Sequence, residues 1–161
     1  MANLPSLGSR GEGWVAIQAI LFGVILLTGL TVPGGWSGPG AGVASFAGVL
    51  LEVVGGTLAV AGLVGLRAGD ALTAVPHPRE GAKLVETGIY RLVRHPIYGG
   101  LVFAGAGWAL LRGSFPALLG VTVLFAFFDL KRRREEAWLV ERFPGYTAYR
   151  ARTRRFIPWL W

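Results

Sequence analysis

Two stretches of the sequence hold most of the side chains that could do chemistry. The first is Thr87-Gly88-Ile89-Tyr90-Arg91-Leu92-Val93-Arg94-His95-Pro96-Ile97-Tyr98-Gly99-Gly100, which sets tyrosines, arginines and a histidine at the head of an apolar segment. Pro96 suits the first position of a helix, where a missing N–H costs nothing, and it biases His95 toward extended backbone. The leading N–H groups of that helix, with Arg94 beside them, would form a site for an anionic group such as a carboxylate. Gly99 and Gly100 leave its first turn open to close approach by a ligand or another helix. The second stretch, Lys131-Arg132-Arg133-Arg134-Glu135-Glu136, lies on one predicted helix that continues to Phe143. Lys131 and Glu135 stand four apart on one face of it. A carboxylate there suits a ligand with hydroxyls or a cation. Plainer readings stand beside these: a stop-transfer flank for the first stretch, and for the four basic residues a cluster attracted to anionic lipid.

The elements that must position these residues are apolar helices. Of 161 residues 53% are apolar and 16% charged, with mean hydropathy +0.52, which predicts an all-α integral membrane protein. Residues 14–32 and 43–66 are long enough to span a bilayer outright. Residues 97–111 and 115–130 are shorter and are split by Arg112-Gly113-Ser114, a tight hairpin, so about four transmembrane helices are expected. The loop at residues 33–42 is uncharged. The connection at 67–96 and the tail from Lys131 to Arg155 are strongly basic, which places both, and both termini, on the cytoplasmic side of the cell inner membrane. Arg10 and Glu12 are the charges before the first span, and no cleavage pattern follows it, so that span is read as uncleaved.

The chain divides into residues 1–66, two N-terminal transmembrane helices, and residues 67–161, where the chemistry is concentrated. The absence of cysteine excludes disulfides, thiolate metal sites and a cysteine nucleophile, and two histidines give no basis for a metal centre. The net charge of +7 fits membrane flanks better than nucleic acid, and no nucleic-acid partner is expected. Tyr146, Tyr149, Phe156, Ile157, Trp159, Leu160 and Trp161, interleaved with Arg150, Arg152, Arg154 and Arg155, give the tail an interfacial character. Glu52 is an ionisable residue inside a predicted span. It is expected to hydrogen-bond Gln18 or a backbone carbonyl and tie the first two spans together, the alternative being a place on an acceptor's entry path.

Gly88-x-Tyr90, Arg94-His95-Pro96-x-Tyr98-x-Gly100, Glu135-Glu136, Phe143, Tyr146, Tyr149 and Arg155-Phe156-Ile157-Pro158 together resemble the isoprenylcysteine carboxyl methyltransferase family and its bacterial relatives over about residues 70–161. The resemblance implies a helical membrane enzyme that takes a methyl group from S-adenosylmethionine, bound on the cytoplasmic side by the 67–96 connection and the C-terminal segment. The acceptor it implies is a lipophilic small molecule or lipidated group entering from the membrane lipid. It further implies that Lys83, Leu84 and Val85 lie along the cofactor through their backbone and that Tyr90 packs against it. Arg94, His95, Pro96, Ile97 and Tyr98 would hold its amino-acid portion, with Glu135 and Glu136 as the acidic partners. Lys131 falls where the family has a basic residue on the substrate side, although here three arginines follow it. Phe143-Pro144-Gly145 replaces the family's more usual Phe-Gly.

Methyl transfer from a sulfonium is an in-line displacement, so the protein mainly orients the reactants and excludes water. An acceptor that is already anionic needs no general base, whereas an amine does, and no evident base marks the substrate side. Three other readings stay open: a phospholipid N-methyltransferase, an NADPH-dependent enzyme like the membrane sterol reductases, and a non-enzymatic membrane scaffold.

Overall fold

A computed structural model describes residues 4–78 and 80–158. Arg79 of the basic connection and Trp159, Leu160 and Trp161 of the aromatic tail lie outside the described residues. The described chain is helical: α1 (Glu12–Thr31), α2 (Gly40–Ala68), a 3-10 turn (Gly88–Arg91), α3 (Pro96–Leu111), α4 (Phe115–Arg142) and α5 (Tyr146–Arg152). Among the described residues, α1 and α2 are long and apolar enough to cross a membrane, and only 17% of the apolar window of each is buried inside the molecule. Side chains such as Ile20, Leu27, Phe46 and Val53 therefore face outward, as hydrocarbon surroundings would require. α3 is a shorter apolar helix of 16 residues, and α4 joins an apolar first half to a charged second half.

The helix ends explain the connectivity. Pro96 opens α3, and His95 before it has φ −126° and ψ 58°, outside the helical region as a residue before proline should be. Gly113 turns the α3–α4 hairpin at φ +59°, and the Ser114 hydroxyl caps α4 by accepting from Ala117 N–H at 3.4 Å. The same hydroxyl donates to the Thr28 carbonyl at 3.1 Å, Arg112 Nε donates to the Gly29 carbonyl at 3.0 Å, and the Trp36 indole donates to the Leu110 carbonyl at 2.7 Å. The hairpin and the α1–α2 connection thus close one end of the molecule. The other end holds the start of α1, the end of α2, the start of α3 and the charged half of α4. Apart from Glu52 and Arg112, every charged residue described belongs to that second end or to the segments attached to it.

Close contact between α2 and α3 rests on glycines seven residues apart, two helical turns, at Gly48, Gly55 and Gly62, facing Gly100 and Gly107. A Cβ on Gly55 would lie 2.6 Å from both the Gly100 carbonyl oxygen and the Ala104 nitrogen, and one on Gly107 would lie 2.7 Å from the Gly48 carbonyl oxygen. α1 packs mainly on α4, with Trp14 against Phe127 at 5.5 Å between ring centroids, and only lightly on α3.

This arrangement overturns the expected tie between Glu52 and Gln18. The Gln18 amide oxygen instead accepts from Lys131 Nζ on α4, because α1 lies along α4 and not along α2. The Glu52 side chain lies against Gly107 of α3, and among the described residues it makes no hydrogen bond.

Gly55→Ala is expected to lower detergent-phase thermal stability by about 1–3 kcal/mol through overpacking. Gly56→Ala, one residue on with no atom within 4 Å of its Cβ position, should be neutral or gain about 0.5–1 kcal/mol from helix propensity. Equal melting temperatures for the two variants would refute the backbone contact.

Candidate functional site

Ahead of α3 the chain is anchored on both sides. Gly88 has φ +60° and starts the 3-10 turn, which places the Tyr90 ring against α2 with its hydroxyl donating to the Gly62 carbonyl at 3.2 Å. Residues 92–95 then run beside the returning tail. Arg94 N–H donates to the Arg154 carbonyl at 2.8 Å, His95 N–H to the Arg155 carbonyl at 2.9 Å, and Arg154 N–H to the Leu92 carbonyl at 2.9 Å. The tail crosses the first turn of α3 so closely that a Cβ on Gly99 would lie 2.5 Å from the Phe156 carbonyl oxygen. A Cβ on Gly100 would lie 2.5 Å from the Gly55 carbonyl oxygen of α2. Both glycines are therefore approached by protein backbone.

Glu136 lies at the meeting point of these segments and is 3% exposed. Its Oε1 accepts from Arg94 Nε at 3.1 Å and faces His95 Nε2 at 3.2 Å, while Oε2 has Arg150 Nε at 3.5 Å and an Arg132 guanidinium nitrogen at 3.7 Å. Burial pushes this carboxyl up, but the His95 hydrogen bond and the charges of His95 and Arg94 outweigh it and hold the group down to about 2. Arg94 also donates to the carbonyls of Arg150 and Thr153 and to the Thr153 hydroxyl. The Arg94 guanidinium, expected beside the helix N–H groups in an anion site, is turned to these protein acceptors through Nε and Nη1.

Beside this hub is a cavity of about 580 Å³ lined by α1, α2, the 71–85 connection, α3, α4 and the tail. Of the eleven residues expected at a cofactor, Lys83, Leu84, Val85, Tyr90, Arg94, His95, Ile97, Tyr98 and Glu135 line it. Pro96 and Glu136 do not: Pro96 is fully buried where it starts α3, and Glu136 is turned to its four cations. Glu135 faces the cavity, accepting from the Tyr98 hydroxyl at 2.7 Å with His95 Nδ1 at 3.8 Å. The Tyr98 ring is sandwiched between His95, at 5.3 Å and 2° between planes, and Phe128, at 4.5 Å and 8°. Lys131 also lines the cavity and is 2% exposed.

Three features differ from expectation. Lys131 and Arg132, 2% and 4% exposed, are no lipid-facing cluster: Arg132 is drawn inward by Asp129 at 2.5 Å, and Lys131 by Gln18. Tyr146, Tyr149 and Phe156 are no interfacial anchors either. α5 folds the tail back so that all three are buried, and the Tyr149 hydroxyl donates to the Tyr90 carbonyl at 2.8 Å. Gln18, Leu63, Leu66, Phe143, Tyr146 and Tyr149 join the cavity wall without having been assigned to a site. The aromatic ones were visible as part of the motif, whereas Gln18 carried one signal, a lone amide in an apolar helix. The Tyr146 hydroxyl is buried without a hydrogen-bond partner among the described residues, and burial, with Glu136 and Glu135 adding to it, pushes its ionisation well above the usual tyrosine range. It is a neutral donor without an acceptor, at the wall of a cavity.

Glu136→Gln should cost about 3 kcal/mol at neutral pH, because it leaves buried cations uncompensated. A depressed carboxyl stabilises the fold above its unfolded value near 4.5 and loses that contribution as pH falls toward 2, so the native chain should weaken over that window and the variant should show a flatter acid limb. Identical acid limbs in denaturant titrations would contradict the hub.

The family model for phospholipid methyltransferase matches residues 43–145. A protein-S-isoprenylcysteine O-methyltransferase of Schizosaccharomyces pombe is 42% identical over 77 residues, 47% of this chain and 33% of the relative. Probable protein-S-isoprenylcysteine O-methyltransferases of Oryza sativa subsp. indica and subsp. japonica are each 29% identical over 121 residues, 72% of this chain and 62% of theirs. The chain thus spans between a third and about three fifths of the length of these curated relatives. The family match runs from the start of α2 to the turn before α5 and takes in the whole of α3 and α4, with His95, Tyr98, Lys131 and Glu135 inside it, and the chain belongs to the phospholipid methyltransferase family.

Proposed function

We propose that this chain is a membrane methyltransferase that uses S-adenosylmethionine and methylates a lipophilic, anionic acceptor of the isoprenylcysteine kind named for its relatives. The observation that carries the reading is the cavity itself. At about 580 Å³ it is within the usual range of roughly 300–1,000 Å³ for small-molecule sites, and its wall combines polar groups at Glu135, Tyr98 and Tyr146 with apolar ones at Leu63, Leu66 and Leu101.

The donor set fits the cofactor. Glu135 could accept from an ammonium or ribose hydroxyl, the Tyr146 hydroxyl, without a partner among the described residues, could donate to a polar atom, and the backbone of Lys83, Leu84 and Val85 with Tyr90, Phe143 and Tyr149 would hold its flat and apolar parts. When bound, S-adenosylmethionine supplies a methyl group on a sulfonium sulfur. The chain's own part is to orient the acceptor and keep water out, and for a carboxylate acceptor no base is required. Lys131 on the same wall favours an anionic acceptor and disfavours an ammonium headgroup. That weighs against phospholipid N-methylation, the reading the family description would otherwise favour.

In this reading α1, α2, α3 and the apolar half of α4 all cross the inner membrane, α3 thinly at about 24 Å of helix. The charged end faces the cytoplasm, and the region after residue 66 carries most of the cofactor site, with α1 and α2 completing its wall.

His95→Ala and Glu135→Ala should each weaken S-adenosylmethionine binding by about 1–3 kcal/mol in calorimetry on the solubilised chain. NADPH should not compete. Unchanged affinity in both variants would reject the site, and NADPH binding would favour the reductase alternative. Single cysteines at Gly38 and Gly113 should label from outside and those at Glu80 and Arg150 from the cytoplasm. Cytoplasmic labelling at position 113 would make α3 and α4 a re-entrant hairpin.

A further inference from the structure

Lys131 has unusual surroundings for an ammonium group. It is 2% exposed, and among the described residues no carboxylate comes within ion-pair distance of it. Glu135 is one turn along the same face of α4, where a Lys and a Glu four apart would ordinarily meet. Tyr98 of α3 keeps them separate: its hydroxyl holds Glu135 at 2.7 Å, and its ring lies under the Lys131 ammonium at 5.1 Å from the centroid. The hydrogen bond that Lys131 does make goes to the Gln18 side-chain oxygen at 2.5 Å, from α1, outside the residues that match the family model. An ammonium has three donors. Two are left without a protein acceptor among the described residues, and both Lys131 and Gln18 line the cavity.

A buried cation held by one neutral amide is expensive unless a ligand completes its coordination. A structural role alone would be served better by a carboxylate at position 18, which would neutralise the charge. We propose that Gln18 is a positioning residue of the acceptor site: it aims the Lys131 ammonium into the cavity through a neutral contact, with no direct ion pair, so that an anionic group on the lipophilic acceptor supplies the missing partner. The inference rests on the methyltransferase reading for the identity of the acceptor, but the selectivity for negative charge is a property of the cavity itself.

The test compares binding of N-acetyl-S-farnesylcysteine and its carboxamide to the solubilised full chain, with S-adenosylmethionine affinity measured in parallel. The native chain should prefer the carboxylate by about tenfold or more, the range of a charged hydrogen bond. Gln18→Leu should reduce that preference. Gln18→Glu, which pairs with Lys131 and keeps the fold, should abolish it, with S-adenosylmethionine affinity within about twofold of native in both. Full preference retained in Gln18→Glu, no preference in the native chain, or binding of neither probe would overturn the proposal. Loss of S-adenosylmethionine affinity in both variants would also overturn it, by making Gln18 a residue of the fold. Failure of the native chain to bind S-adenosylmethionine would instead strike the methyltransferase reading, leaving the carboxylate preference as an independent result.

Discussion

The carboxylate of Glu136 sits where α4, the start of α3 and the returning tail meet, and an ion so far removed from water must find its solvation within the protein. Arg94 and His95 come from one segment, Arg132 from its own helix and Arg150 from α5, so satisfying one carboxylate fixes the relative placement of three parts of the chain. The consequences reach the cavity. With Nε2 of His95 committed to Glu136, Nδ1 is left facing Glu135, and the imidazole ring is set flat on Tyr98. Arg94 extends from the same carboxylate to Thr153 and so holds the tail against residues 92–95.

Packing imposes a second constraint along α2. Gly48, Gly55 and Gly62 admit the backbone of α3, but toward the end of α2 the neighbours change. A Cβ on Gly65 would meet the Tyr90 ring at 3.0 Å, and Gly69 faces Val85. The last turns of α2 are therefore covered by the connection between residues 85 and 90, which brings Val85 and Tyr90 to the cavity wall. Small residues do two things here: they let two apolar helices approach without a hydrophobic driving force between them, and they dock a polar segment on a helix end.

What was legible in the sequence follows from the range of the interactions. Helix existence and boundaries were local matters of apolar runs, Pro96, Gly113 and Ser114, and they were readable to within a few residues. Residues 71–75 and, apart from the lone amide of Gln18, the α1 and α2 side of the cavity wall left no mark in the sequence, and only the part that the family resemblance carried, with Tyr90, His95, Tyr98, Lys131 and Glu135, was readable. The different fates of Glu135 and Glu136 were not. Adjacent residues on a helix point about 100° apart, and which of those directions meets cations depends on where a tail fourteen or more residues further on returns. The same blindness made Tyr146 and Tyr149 look like membrane anchors: aromatic residues among arginines have the composition of an interface, and only the fold-back of α5 buries them. Gln18 and Glu52 look like partners in the sequence because they are strongly polar side chains at comparable depth in neighbouring apolar segments. Helices adjacent in sequence need not pack, and here α1 prefers the Phe127 and Phe128 side of α4.

Of the cations on the cavity wall, Arg94 is engaged by Glu136, while Lys83 and Lys131 form no ion pair among the described residues. Arg94, Arg132 and Arg150 surround Glu136, and Arg133 pairs with Asp129 at 2.6 Å. What faces the cavity from α4 is one carboxylate and one ammonium, Glu135 and Lys131, with the Tyr98 ring and hydroxyl between them. The Tyr98 ring is also held by parallel stacking with His95 and with Phe128. The Glu136 hub thus acts on the cavity in two ways, engaging Arg94 and fixing, through His95, the aromatic ring that lies between Glu135 and Lys131. A wall that carries an acidic and a basic group with an aromatic ring between them offers a bound ligand a partner for each sign of charge.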